Sequence, residues 1–506
     1  MNDSKRRPNV LNVISDQHLA TCMGVEGHPQ AITPNMDRLA ARGVRFSRAY
    51  TQNPICTPSR VSIFSGQYCH NHGYYGLSGP TPEKLPGFLG HFRRHGYRTA
   101  GIGKLHTPDD PKDWLLDQCD LYAESYEYGS PSSSPSSYYA YLDRLGLRAK
   151  EDSTTLPEFG QAGRQAHEGR PSLLPYKHSV EGWCVQEAVK FIDGCGDQPF
   201  CMQVSLPRPH QCYTPDKKFW DMYPDDLELP ETFYQDSSGR PPHFQDSNKW
   251  FKTYKGLIEP KDYENVARRI WHGYLACVTQ VDYAIGELLD HLEKNGLTEN
   301  TIVIYHADHG AYSGTHGIPE KAPGICSNAV CRIPYLWHVP KAAKGLVCDQ
   351  LVENVDIAPT ITSLCGLPAM ETVDGKDITG LLQGEDEPVR EIAVTENPWS
   401  KALRWGKWRF VHYQPKMFDG RDVGELYNMD DDPLERNNLY NDPNHKHVVE
   451  QCRRLLLEWL IDTTRIITAW PGCGKTLQEY PTAGDGKESN TAGPAQRVRD
   501  GQINYV

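Results

Sequence analysis

The sequence predicts an α/β protein: a large, mostly parallel sheet covered by helices on both faces, followed by a small antiparallel sheet with one helix. Three observations predict it. Through the first two-thirds of the 506 residues, short apolar or β-branched runs alternate with amphipathic, helix-like stretches. Those stretches stop at glycine, the residue that closes a helix most readily. After roughly residue 385 the apolar residues switch to the period-two alternation of antiparallel strands.

The first strand runs Val10 to Ser15 and ends in Asp16, Gln17 and His18. A helix around Met36, Leu39 and Ala40 closes at Gly43, and another around Leu89 and Phe92 closes at Gly96. The strand Tyr97 to Ile102 follows and leads to Lys104 and His106. A helix with Val185, Ala188 and Phe191 closes at Gly194, and the strand Phe200 to Leu206 leads to His210. A helix with Val278, Val281, Ile285, Leu288 and Leu292 closes at Gly296, and the strand Thr301 to His306 leads to Asp308 and His309. In open parallel sheets ligands bind beyond the carboxyl ends of the strands. One such cluster alone is a polar loop; four of metal-binding or titratable type at the same edge make a shared site.

Two stretches break the pattern, roughly 117–180, with the Ser/Pro-rich run Tyr128 to Pro135, and roughly 213–262. Each reads equally as a substrate-binding wall or a surface excursion. Past residue 385, Ile392-Ala393-Val394-Thr395, Lys407 to Val411 and Glu425 to Met429 read as strands, and a helix is expected at about 446–463. The tail 471–506 is polar and Gly-rich. Its Pro471-Gly472-Cys473-Gly474-Lys475-Thr476 imitates the end of a phosphate-binding loop, but Ala469 replaces the first glycine and no strand precedes it.

Composition narrows the function. The net charge of −12 opposes a general nucleic-acid binder, which needs a basic face, and leaves a local anion pocket open. No run approaches the roughly 18 apolar residues of a membrane helix. The opening strand, interrupted by Asn12, lacks the features of a signal peptide, so a cytoplasmic protein without membrane association is expected. The 15 cysteines are odd in number and scattered, as expected of reduced, buried thiols.

Cys56 stands apart. It sits at an expected helix start in Cys56-Thr57-Pro58-Ser59-Arg60, where the helix amides favour a thiolate. This segment, with Ser65-Gly66 after it, resembles the modification signal of formylglycine-dependent sulfatases in the alkaline phosphatase superfamily. The resemblance extends to Asp16, Gly103-Lys104-Leu105-His106, Pro209-His210, Asp308-His309-Gly310, Lys321, Glu425-Leu426-Tyr427 and Asp432-Pro433. It thus covers most of the chain and implies an alkaline phosphatase-like fold, with a catalytic domain 1–385, a small subdomain 386–470 and a tail 471–506.

The resemblance also implies chemistry. A formylglycine-generating enzyme would oxidise Cys56 to formylglycine, whose hydrate attacks the sulfur of a sulfate monoester. A divalent ion would be held by Asp16, Gln17, Asp308, His309 and the modified residue 56. Two carboxylates and an amide oxygen favour calcium. Gln17 and His309 stand where many members carry Asp and Asn, which removes one negative charge and adds a nitrogen, and so admits manganese or zinc. His210, helped by Lys321, resembles the acid that protonates the leaving alcohol, and His106 the base that lets sulfate leave. Arg60, Lys104 and Lys321 would neutralise charge on the sulfate and on residue 56. His316 matches a frequent family position without an assigned role, and His18, His70 and His72 read equally as structural.

The expected substrates are sulfated carbohydrates or small aryl and alkyl sulfates, and a homo-oligomer is allowed. A phosphonate monoester or phosphodiester hydrolase of the same superfamily is the competing reading, since it shares the Asp-Gln and Asp-His pairs. The family pattern puts hydroxyl residues in such enzymes where this chain has Lys104 and His106, which favours sulfate. A non-catalytic binding protein of this fold is a third reading, opposed by the complete catalytic set.

Overall fold

The computed structural model describes residues 7–77, 85–106, 114–125, 136–151, 168–252, 258–321 and 325–465. The Ser/Pro-rich run within 128–135 and the tail with its false phosphate loop lie outside these residues. The chain divides into two compact units, Met1–Leu455 and Leu456–Val506, and both main sheets belong to the first. Among the described residues no helix is long and apolar enough to cross a membrane.

Fourteen strands are described: β1 (Asn9–Asp16), β2 (Val44–Phe46), β3 (Ala49–Tyr50), β4 (Arg98–Gly103), β5 (Leu121–Glu124), β6 (Phe200–Pro209), β7 (Thr301–Ala307), β8 (Tyr335–His338), β9 (Leu346–Cys348), β10 (Val352–Glu353), β11 (Ile392–Asn397), β12 (Ser400–Trp405), β13 (Trp408–Tyr413) and β14 (Gly424–Asn428). The large sheet has the order β5-β4-β6-β1-β7-β8-β2-β9. Its central strands β4, β6, β1 and β7 are all parallel, and the sheet turns mixed only where β8 pairs antiparallel with β7 and β2. β3 and β10 form a separate parallel pair. The small sheet, β11-β12-β13-β14, is an antiparallel meander followed by the helix Lys446–Thr463, as expected.

β1 shows why its sequence is rich in apolar residues without period-two alternation. Every residue from Asn9 to Asp16 is buried, because both faces of the sheet are covered. Leu11 and Val13 pack on one side with Trp183, Leu275 and Val278, and Val10 and Ile14 on the other with Phe64, Phe88 and Ile361. Successive side chains of a strand point to opposite faces, so one strand feeds two cores.

Two expectations change in extent. The helix read around Val278 to Leu292 spans Tyr263–Lys294, so its first half lies next to the stretch read as irregular. That stretch itself contains the helices Lys217–Trp220 and Pro242–Lys252. Likewise 117–180 supplies β5 and the helix Ser137–Arg144, which begins at a Ser136 cap accepting the Tyr139 N–H. A four-residue edge strand such as β5 is too short to announce itself by period.

Candidate active site

Four neighbouring parallel strands end at one edge, and each delivers a polar side chain there. β1 ends in Asp16 and Gln17, β4 leads to Lys104 and His106, β6 to His210, and β7 to Asp308 and His309. Residue 56 arrives separately, as the first residue of the helix Cys56–Ser65.

The helix is locked to the strand ends one turn below Cys56. Ser59 Oγ donates to the Asp308 carbonyl at 2.6 Å, and Thr51 Oγ1 donates to the same oxygen at 2.6 Å. Arg60, four residues from Cys56 and so on the same helix face, donates from Nε to Asp308 Oδ2 at 2.9 Å. Its Nη2 lies 3.4 Å from Asp16 Oδ2, and its Nη1 reaches Ser205 Oγ at 2.6 Å and the Lys104 carbonyl. Arg60 is 1% exposed, and its charge is matched by these two carboxylates. The spacing of Cys56 and Arg60 therefore has a mechanical meaning: one turn of helix ties residue 56 to Asp16 and Asp308.

Lys104 makes an ion pair with Asp16 Oδ2. It is aimed there by Gly103, whose φ of +98° belongs to the left-handed region and whose absent Cβ would meet the Ser205 carbonyl oxygen at 1.9 Å. His106 also has positive φ, +48°, and its N–H donates to Glu124 Oε2 at 3.4 Å, beside the Leu105 N–H at 3.1 Å. The sequence reading overlooked Glu124, Ser205, Gln211 and Glu320, since nothing in a lone Ser, Gln or Glu distinguishes a supporting residue from a surface one.

A cation cradle fits the residues present. Asp16, Asp308 and His309 are fully buried and place one ligand atom each within 4.8 Å of the others. His309 donates from Nδ1 to the Gly310 carbonyl at 2.8 Å, which fixes the tautomer and turns the Nε2 lone pair inward. Nε2 lies 3.8 Å from Asp16 Oδ1 and 3.8 Å from Asp308 Oδ1, a spacing that suits atoms each ~2.3–2.6 Å from one ion. Two buried oxygens, Asp16 Oδ1 and Gln17 Oε1, have no hydrogen-bond partner among the described residues. Buried acceptors left bare cost stability unless something electropositive meets them. Gln17 is held with φ +64°, its N–H donating to Asp308 Oδ1 at 3.0 Å.

Electrostatics focus on residue 56. Lys321 Nζ lies 4.0 Å from Cys56 Sγ and 3.2 Å from His309 Nε2. Burial alone would raise the Cys56 pKa, but Lys321, then His106 and Lys104, overcome it, and a hydrogen bond with His106 adds to them; the thiol is held well below its ordinary value. Burial would likewise raise Asp16, and Lys104, His210, Arg60 and Lys321 keep it well below the carboxylate range. His210, its Nδ1 2.6 Å from the Gln211 carbonyl, is pushed well below 6.5 by burial and then by Lys321 and Lys104, against Asp16 and Cys56.

All the residues expected at the site converge: Asp16, Gln17, Cys56, Arg60, Lys104, His106, His210, Asp308, His309 and Lys321. The remaining histidines have other partners. His18 bridges Tyr305 Oη and the Cys22 carbonyl, and burial lowers it to about 4. His72 contacts Ser62 Oγ at 2.9 Å, and burial lowers it to about 3. His70 pairs with Glu396 at 3.0 Å. His316 Nε2 accepts from Arg240 at 3.0 Å, which ties it to the buried ion cluster under the small sheet.

With this fold and edge in place, the comparisons define the class. The sulfatase family model matches residues 8–367, and a second model, for the C-terminal region of N-sulphoglucosamine sulphohydrolase, matches residues 314–461. The chain belongs to the sulfatase family and is a sulfuric ester hydrolase. It is 27% identical over 490 residues to an arylsulfatase of Clostridium perfringens, covering 94% of this chain and 98% of the relative. It is 24% identical over 525 aligned positions to an N-acetylglucosamine-6-O-sulfatase of Bacteroides thetaiotaomicron, covering 90% and 87%. Its fold matches a structure bound to its substrate D-glucosamine-2-N,6-O-disulfate, with TM-score 0.71, 21% identity and 90% and 98% coverage. It also matches the phosphonate monoester hydrolase of Agrobacterium radiobacter, with TM-score 0.74, 20% identity and 91% and 98% coverage.

Proposed function

We propose that this sulfatase cleaves its ester with residue 56 as nucleophile, after a formylglycine-generating enzyme has converted Cys56 to formylglycine. A divalent cation, calcium first and manganese or zinc next, would be held by Asp16, Gln17, Asp308, His309 and the modified residue. The observation that carries this reading is the meeting of two bare buried oxygens, an oriented imidazole nitrogen and residue 56 at one strand edge. Gln17 removes a charge that a second aspartate would bring, and His309 adds a nitrogen. Oxygen ligands keep calcium in first place, and the nitrogen is what admits manganese and zinc.

When bound, the cation would supply Lewis acidity that lowers the pKa of a hydroxyl of the hydrated residue 56 toward neutral pH. The chain's own residues do the rest. Arg60 holds Asp16 and Asp308 in register with residue 56. Lys104 and Lys321 bring two positive charges to the place where the sulfate oxygens gather charge. His106, hydrogen-bonded to residue 56, takes the proton whose removal releases sulfate. His210 gives a proton to the departing alcohol. Burial and two lysines oppose the charged form of His210; the negative charge of the incoming sulfate acts the other way and raises its proton affinity.

A sulfated sugar is the proposed substrate class. Relatives named for sugar sulfates, the N-acetylglucosamine-6-O-sulfatase and the N-sulphoglucosamine sulphohydrolase C-terminal region, support it. The phosphonate hydrolase shares the fold, and a Lys104–His106 pair serves a sulfate monoester better. Rates on nitrophenyl sulfate and a nitrophenyl phosphonate ester test the choice, with sulfate expected to dominate; a dominant phosphonatase activity would reverse it.

A further inference from the structure

Gln17 differs from the other residues of the cation cradle in one respect. A carboxylate presents oxygen whichever way it turns, whereas an amide presents an acceptor at one end and a donor at the other. Its backbone is pinned: the N–H donates to Asp308 Oδ1 at 3.0 Å, and the carbonyl accepts from Tyr274 Oη at 3.0 Å. What remains open is the rotation that exchanges Oε1 and Nε2, two ends of nearly the same shape.

The surroundings decide that rotation. Gln17 Nε2 donates to Gln211 Oε1 at 3.5 Å, a long bond, and Gln211 Nε2 donates to Glu320 Oε2 at 2.9 Å. The Glu320 carboxylate can only accept, so it draws the NH2 end of Gln211. The Gln211 oxygen then faces Gln17 and draws the NH2 end of that amide. Gln17 Oε1 is left in the interior, without a hydrogen-bond partner among the described residues. We propose that Gln211 and Glu320 are positioning residues that set the polarity of the Gln17 amide, so that its oxygen and not its NH2 group faces the divalent cation. The proposal rests on the cation site described under Proposed function and explains how a neutral ligand is made dependable there. Glu320 directly precedes Lys321, so one short segment both orients a cation ligand and carries the ammonium group beside residue 56.

The test is calorimetric titration of metal-stripped protein with Ca2+ alone and with Mn2+ alone, with thermal melting to verify that each variant is folded. Glu320→Gln replaces a group that only accepts by one that donates or accepts, and affinity should fall about 10- to 100-fold, as for other residues behind a metal ligand. Gln17→Glu should reverse the sign of that effect. A carboxylate at 17 needs the NH2 end of Gln211, which turns the Gln211 oxygen against the Glu320 carboxylate. Adding Glu320→Gln to Gln17→Glu should therefore tighten binding. Unchanged affinity in folded Glu320→Gln, or weaker binding on its introduction in both backgrounds, overturns the relay. Asp308→Asn separates the two claims. If it leaves affinity intact, the cation site itself is wrong; if it abolishes binding while the Gln17–Glu320 cycle shows no sign reversal, only the relay is wrong.

Discussion

The strand edge that holds residue 56 and the interior of the small sheet both bury clusters of charge, and they bury them differently. Under the small sheet, Glu425 accepts from Tyr413 at 2.6 Å on one oxygen, and from Tyr427 at 2.6 Å and Arg240 at 3.0 Å on the other. Glu435 pairs with Arg409 at 2.5 Å and accepts the Asn328 N–H. Each carboxylate oxygen there has a donor. At the strand edge, Asp16 Oδ2 is crowded by Lys104 and Arg60 while Asp16 Oδ1 and Gln17 Oε1 have no partner among the described residues. A closed cluster ties elements together. A cluster with bare oxygens beside four basic groups has room for a ligand of its own. Burial and charge alone do not separate the two clusters; bare oxygens beside basic groups do.

The largest expected effect sharpens that difference. Under the proposed role of residue 56, which places it in the chemistry and not in core packing, Cys56→Ala should reduce turnover by at least about 10^3-fold with little change in melting temperature. Steady-state assay with a melt on the same sample checks it, and a large loss of stability would move residue 56 to the structural side of the comparison. His210→Ala should follow, with losses of about 10^2–10^4-fold on alkyl and sugar sulfates. Its effect on nitrophenyl sulfate should be far smaller, since a phenolate leaves without a proton. Equal losses on both would remove His210 from the acid role.

The closed cluster should respond in the opposite way. Arg409→Met takes the nearer of two arginines from buried Glu435, leaving Arg240 at 4.0 Å and the Asn328 N–H, and should cost up to about 3–5 kcal/mol of stability. The metal affinity of the protein that remains folded should be unchanged. Urea denaturation and calorimetry read the two separately; lost metal affinity at full stability would break the distinction.

The smallest effect concerns pH. His72 Nδ1 accepts the Tyr74 N–H at 3.1 Å and Nε2 meets Ser62, so a second proton has no acceptor to meet. Burial lowers its pKa from 6.5 to about 3. A histidine depressed in the folded state contributes stability that is complete above 6.5 and is lost as the pH falls below it. Between pH 7 and 5 that loss is about 2 kcal/mol. His72→Asn should make the dependence of melting temperature on pH shallower over that range, with the similarly depressed His18 and His306 keeping their share, and an unchanged slope would show that His72 contributes nothing to it.

The fold was readable from sequence where strands are long and buried on both faces. β1, β6 and β7 are rich in apolar residues and β4 is built of small and apolar residues after Arg98, and the glycines after the helices that precede β4, β6 and β7 fix the alternation. β5 and the helix Ser137–Arg144 were not readable, since four residues at a sheet edge and an eight-residue helix after a Ser/Pro run carry little periodic signal. The residues proposed to hold the cation, and the basic residues beside them, were readable because parallel strands put their following residues at one edge. The residues that aim them were not. Gln211 beside His210 and Glu320 beside Lys321 acquire meaning only from contacts about 109 and 194 positions away in sequence. Arg60 lies between these cases: its place one turn after Cys56 was visible, but its grip on Asp16 and Asp308 was not.

The central claim is that the hydrate of an aldehyde made from the Cys56 thiol would do the attacking. Mass spectrometry of the peptide containing residue 56, across preparations converted to different extents and each assayed for sulfate release, tests it most directly. Turnover per molecule should rise in proportion to the lighter, aldehyde-bearing fraction and vanish when that fraction is zero. Full turnover from protein that still carries the thiol would contradict the account.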